Sequence, residues 1–183
     1  MLSVGHDVVP FAVHQLFATP TFTFAVSFGS DVCAPLSSAA QLSFAGADVV
    51  LAPAAFIESA GSHQAHRANV LHQSQSTVCG LVCASAGFGE STQDVVLSGK
   101  TFITEMGEMI AEGKRFTHED QLTVGEIDIE RLRHARLENS VYKQCANHYL
   151  SQDKELSFFQ SILFEDKIKR FRKLCKEFEE VTR

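Results

Sequence analysis

The chain has 183 residues and a mass of 20.1 kDa, with 45% hydrophobic and 21% charged residues. That composition belongs to an ordinary globular domain and excludes disordered, collagen-like and low-complexity chains. Sixteen Lys and Arg against twenty-two Asp and Glu leave a formal charge of −6, the opposite of a general nucleic-acid binder's basic excess. Every apolar run is interrupted well short of the roughly 18 residues that span a bilayer. Neither nucleic acid nor a membrane is expected as a partner. The N-terminus, Met1 to Asp7, lacks the basic patch and apolar core of a secretory signal. Five Cys, an odd number at scattered spacings, read as reduced thiols, so a cytoplasmic location is expected.

Apolar periodicity predicts a β-rich body up to about residue 130 and a helical tail. Phe22 to Val26 and Ala47 to Ala52 read as strands, the second with the unbroken apolar run of a strand covered on both faces. Between them Ser37-Ser38 can cap a helix from Ala39 to Gly46, with Gly46 ending it in a left-handed conformation. A second helix is predicted from His63 to Ser76, leading into a strand from Val78 to Ser85. Beyond Gly87-Phe88-Gly89, the stretches Asp94 to Leu97, Lys100 to Thr104, Met106 to Met109 and Gln121 to Ile127 read as hairpin strands joined by Gly turns. In the tail Phe164, Ile168, Phe171, Cys175 and Phe178 follow one another at spacings of 4, 3, 4 and 3, one apolar stripe of an amphipathic helix. Such a helix packs on its own body or binds a partner.

His63-x2-His66 with twelve residues before Cys79-x3-Cys83 is a zinc-finger spacing written backwards. On a strand, however, Cys79 and Cys83 lie about 13 Å apart. A tetrahedral zinc with Zn–S bonds of about 2.3 Å cannot hold both. No metal is therefore expected, and the two thiols read as small core side chains. No Gly-rich phosphate loop is visible, so no cofactor is expected either.

The run Cys83-Ala84-Ser85-Ala86-Gly87-Phe88-Gly89-Glu90-Ser91-Thr92-Gln93-Asp94-Val95-Val96 closely resembles a stretch of bacterial glutamine-dependent NAD+ synthetases, within their nitrilase-like glutaminase domain. Glu126-Ile127-Asp128-Ile129-Glu130-Arg131-Leu132-Arg133 with Asn139 resembles that family's "EIDVERLR…RRN". Val9-Pro10-Phe11 resembles its "VPFG", Phe44-Ala45-Gly46-Ala47-Asp48 its "LAGAE", and Gln75-Ser76 the start of its "QSAR". Residues 8 to 142 are covered in order. The resemblance implies an α/β fold, a partial nitrilase-like αββα sandwich over residues 1–142, with the helical tail 143–183 added to it.

It also implies a parent role in NAD biosynthesis: a Cys-Glu-Lys triad hydrolyses glutamine and passes ammonia to an ATP-using domain. The motif that carries the nucleophile is like "FAVEICEDLWAP", and this chain has Phe24-Ala25-Val26-Ser27-Phe28-Gly29-Ser30-Asp31-Val32-Cys33-Ala34-Pro35. The ungapped match puts Gly29 where the nucleophilic Cys belongs and Cys33 where the motif has Trp. Two roles are open to Cys33, a displaced nucleophile or a packing thiol in the space of the lost indole. In the family the Glu and Lys precede the nucleophile strand, and 28 residues precede Gly29 here, so the segment carrying them is expected to be missing. Ala52-Pro53-Ala54-Ala55-Phe56 stands in place of "NLSAS", which removes polar groups that would hold glutamine. Arg67 is either a remaining carboxylate clamp or a solvated helix residue. The resulting expectation is a truncated glutaminase domain, inactive alone, that takes glutamine only if the site survives. The alternative is a stand-alone pseudoenzyme that binds a partner through its open sheet and C-terminal helix, the partner being a second copy or a longer synthetase chain.

Overall fold

The computed structural model describes residues 2–4, 7–9, 14–91, 94–152 and 160–163. In chain order these form β1 (Leu2–Val4), β2 (Asp7–Val9), β3 (Gln15–Ala18), β4 (Thr23–Val26), a 3-10 turn (Gly29–Cys33), α1 (Ser38–Phe44), β5 (Val49–Ala54) and α2 (Ser62–Thr77). There follow β6 (Gly80–Ser85), β7 (Thr101–Glu105), β8 (Glu108–Glu112), α3 (Ile129–Glu138), α4 (Ser140–Gln152) and β9 (Gln160–Leu163). Strands β1 and β2 pair as a small hairpin, and the other seven form one sheet in the order β8-β7-β6-β5-β4-β3-β9. The centre, β4, β5 and β6, is parallel, with β7 and β8 returning antiparallel on one side.

Local chemistry explains the central elements. Ser37 caps α1, its hydroxyl accepting from the Ala39 amide at 3.1 Å, and Gly46 follows the helix at φ +114, as the sequence predicts. Alternation along the strands points Ala25, Val50, Ala52, Leu81, Cys83 and Phe102 to one face, where Val32, Ala39, Leu42 and Val70 from the turn, α1 and α2 complete the core. The Val78 to Ser85 expectation shortens to Gly80–Ser85, because Val78 terminates α2 in a left-handed conformation with φ 48.

Two predicted strands take another form. Asp94 to Leu97 makes only an isolated bridge, Leu97 to Ile57. Gln121 to Ile127 joins no strand pair; it crosses the sheet face opposite the helices. Thr123 bonds Thr101 at 2.6 Å, Gly125 lies against Ile103 and Ile110, and Ile127 fills the space above side-chain-free Gly80. Its alternating apolar residues point outward instead, Leu122 being 89% and Val124 73% exposed. Alternation marks a two-faced extended segment, and whether it pairs depends on which face meets the protein. The amphipathic helix predicted over Phe164 to Phe178 lies outside the described residues.

At the amino ends of the parallel strands, Asp48 is a nearly buried hub. It accepts from the Thr23 amide at 2.9 Å and from Arg133 at 2.6 and 3.1 Å, with Arg136 at 3.7 Å. Arg136 in turn donates to the carbonyls of Ala47 at 2.7 Å and Val78 at 2.8 Å. The Tyr142 hydroxyl donates to the Ser43 carbonyl at 2.8 Å, so α3 and α4 are tied to the base of the sheet. Removing one member of a buried pair leaves the other uncompensated, at a cost of about 3–5 kcal/mol. Asp48→Ala should lose about that much in urea unfolding, whereas Arg133→Gln, at a half-exposed site, should lose about 1 kcal/mol.

Candidate functional site

Open parallel sheets place their chemistry at the carboxyl ends of the strands, here after Val26 of β4, Ala54 of β5 and Ser85 of β6. Gly29 opens the 3-10 turn just past β4 with φ +64, and a Cβ added there would meet nothing within 4 Å. The elbow thus offers a side chain room, but in a backbone conformation that favours glycine. Cys33 closes the same turn, half-buried and packed against the core. Burial pushes its thiol pKa up, with the Asn69 side chain of α2 acting weakly the other way. Cys83 on β6 is pushed up to about 12 by burial and by the neighbouring Cys33, against the pull of Lys100. Thiolates are the nucleophilic form of cysteine, and these positions suppress them.

Arg67 is on α2, but its Nε donates to Glu112 of β8 at 3.1 Å, beside His63 Nε2 at 3.1 Å from the other carboxylate oxygen. The structure therefore brings Gly29 and Cys33 together in one turn and engages Arg67 with the sheet edge. Cys79 and Cys83 lie in the core, the Cys79 thiol 2.9 Å from the Thr77 hydroxyl. No group of three or more metal-capable side chains occurs among the described residues.

The polar centre at this end of the sheet is built on Glu58 and Lys100, which no motif identified, and on His66, which the sequence singled out only for a metal spacing. Lys100, with no accessible side-chain surface, donates to Glu58 Oε1 at 2.7 Å; Glu58 itself is 7% exposed. The carboxylate also accepts from Ser98 at 2.6 Å and Ser62 at 2.8 Å, with Arg115 at 3.6 Å. Lys100 Nζ lies 3.1 Å from His66 Nδ1, and the His66 ring is stacked on Phe56 at 4.5 Å. Three elements converge here. Glu58 leads into α2, its amide donating to the Val96 carbonyl at 2.8 Å; the Lys100 carbonyl accepts from the Ser85 amide at 2.9 Å, which joins the entry of β7 to the exit of β6.

Burial alone would raise the Glu58 pKa, but the bonds from Lys100, Ser98 and Ser62 overcome it and hold the carboxyl at about 2. So weak a base suits an ion-pair anchor better than proton transfer at neutral pH. His66 is lowered by burial and by Lys100, with Glu58 opposing. Glu58 and Lys100 are 42 positions apart, with no spacing rule connecting them. The one sequence signal was a lone lysine at the entrance of an apolar strand.

Glu58→Ala should cost about 3–5 kcal/mol at pH 7 in urea unfolding, since it strands a buried ammonium. The carboxyl's folded pKa lies below its ordinary 4.5, so its stabilisation is present above that value and lost as pH falls toward about 2. The gap between wild type and Glu58→Ala should narrow over that window.

No protein-family model matches this sequence, and no curated protein matches it either. Solved structures do match in fold. A carbon-nitrogen hydrolase from Helicobacter pylori superimposes with a TM-score of 0.58 at 15% identity, over 80% of this chain and 51% of that one. Nit3 of Saccharomyces cerevisiae, a member of branch 10 of the nitrilase superfamily, gives 0.56 at 17% identity, over 67% of this chain and 44% of that one. A glutamine-dependent NAD+ synthetase from Acinetobacter baumannii gives 0.53 at 19%, over 60% of this chain and 20% of that one. The chain spans about half the length of the Helicobacter hydrolase and less of the other two. It has part of the α/β fold shared by these carbon-nitrogen hydrolases.

Proposed function

We propose that the chain is a partial glutaminase domain of the glutamine-dependent NAD+ synthetase type that does not hydrolyse glutamine by itself. The observation that carries this reading is the elbow after β4. The synthetase-like motif aligns its nucleophile with Gly29, which begins the turn at φ +64 and has no side chain with which to attack an amide. Cys33 does not replace it: the thiol is four positions further on, packed against the core and shifted toward its protonated form. Covalent amide hydrolysis needs a thiolate within about 3–3.5 Å of the carbonyl carbon, and errors of about 1 Å cost orders of magnitude in rate.

A role in association fits the same end of the molecule. Phe28, Ile57 and Phe88 follow β4, β5 and β6 and are 70%, 54% and 72% exposed. Apolar side chains presented from three successive strand ends favour a protein partner, either a second copy or a longer synthetase-type chain.

The purified chain should release no ammonia from glutamine above a protein-free blank, and Cys33→Ser should leave that result unchanged. Ammonia release abolished by Cys33→Ser would overturn the reading. Among the described cysteines, alkylation at neutral pH should label exposed Cys145 first, Cys33 more slowly, and Cys79 and Cys83 only in denaturant. In sedimentation velocity the chain should associate at micromolar concentration, and the double variant Phe28→Ser, Phe88→Ser should shift it toward monomer.

A further inference from the structure

Lys100 can only donate hydrogen bonds, so the 3.1 Å contact with His66 Nδ1 requires that nitrogen to accept and puts the ring proton on Nε2. The contact exists only while the imidazole is neutral. Protonation turns Nδ1 into a donor facing an ammonium that has no route to solvent, Lys100 having no accessible surface. Of the other charged groups acting on the ring, His63 adds to the repulsion and Glu58 opposes it. Glu58 is already engaged by Lys100, Ser98, Ser62 and, at 3.6 Å, Arg115, so it offsets the added charge only in part. Phe56, stacked on the ring, gives no hydrogen bond in its plane. The ring seats α2, which carries it, against Lys100 and the Phe56 face.

We propose that His66 is a pH-sensitive latch that holds the amino-terminal half of α2 on the carboxyl end of the sheet while neutral and releases it when protonated. Burial and Lys100 both lower the His66 pKa, which puts the release below the usual histidine range. The linkage sign agrees. With the folded pKa depressed, the open state binds the extra proton, so closure is favoured above the ordinary histidine value and lost as pH falls through the folded one. One turn away on the same helix, His63 Nε2 lies 3.1 Å from Glu112, a contact that ties α2 to β8 independently of His66.

The test is amide hydrogen exchange of the full chain from pH 7.5 to 5, corrected for intrinsic exchange rates, with the His66 titration followed by NMR. Protection of residues 62–72 should fall by up to about tenfold per pH unit between the ordinary histidine value and the His66 midpoint and level off below it, as uptake of one linked proton on opening requires, while β5 and β6 stay protected. His66→Asn keeps an acceptor for Lys100 without a titrating group, so its α2 should hold constant protection on acidification. Unchanged acid loss in His66→Asn would overturn the latch. Should that variant not fold, the wild type decides: an α2 opening that tracks the His66 midpoint supports the latch, and a protonated His66 with α2 still protected overturns it.

Discussion

A lysine ammonium with no contact with water needs a counter-charge, and the carboxyl end of this molecule is arranged around meeting that need. Glu58 supplies the charge, and Ser62 and Ser98 fill its remaining acceptor positions. Because the pair joins the β5–α2 loop to the entrance of β7, it fixes three things together: where α2 begins, where β7 starts its antiparallel return beside β6, and how Phe56 meets His66. A buried ion pair gains little over apolar packing of the same shape, since desolvation offsets most of the attraction. Its effect is geometric: each half is costly without the other, so alternative arrangements of the loops around it are disfavoured. That reading goes with a carboxyl held at about 2, which binds strongly and transfers protons poorly.

Stability and chemistry separate cleanly in this fold. The core behind Gly29 is intact, with Ala25, Val32 and Ala39 fully buried around the elbow, yet the elbow's first residue has no side chain. A nucleophile position contributes almost nothing to packing, because catalysis requires it to face open space; nothing lies within 4 Å of a Cβ built on Gly29. A glycine at this position therefore costs the fold nothing, and it suits the left-handed backbone better than a cysteine would.

Much of the scaffold was legible in the sequence. The strand-helix-strand unit from β4 to β5 followed from apolar runs and from two local signals, the Ser37 cap and Gly46, each of which acts within one turn of the chain. Asp48 stood out only through the resemblance of Phe44 to Asp48 to a family motif; its hydrogen bonds to Arg133, 85 positions away, could not be read from spacing. The same limit hid Glu58 and Lys100. Gln121 to Ile127 failed for a different reason. Alternation shows that a segment is extended and two-faced, but the choice between pairing at an edge and crossing a sheet face was made by Gly80 and Gly125, whose missing side chains admit Ile127 and the Ile103–Ile110 pair. Gly29 and Cys33 could be placed in the candidate site from sequence because their alignment is ungapped, and the structure puts both in one turn.

The two ends of the sheet now divide its roles. The amino end is closed by charge that reaches across the chain: Asp48 with Arg133 and Arg136, and Glu105 with Arg131 at 3.1 Å. The guanidinium side chains of α3 brace that helix against the strand ends, and the Tyr142 hydroxyl ties α4 to the same base. The carboxyl end, where sheets of this kind hold their ligands, has the opposite character, with a neutralised ion pair below the surface and Phe28, Ile57 and Phe88 projecting from it. An end that retained substrate chemistry would keep convergent, accessible polar groups at its mouth. Here the buried charged groups are satisfied by one another, and exposed Phe28, Ile57 and Phe88 stand beside exposed Ser30, Asp31 and Glu90. On the proposed reading, those exposed apolar side chains are the surface through which this end of the sheet would meet another protein.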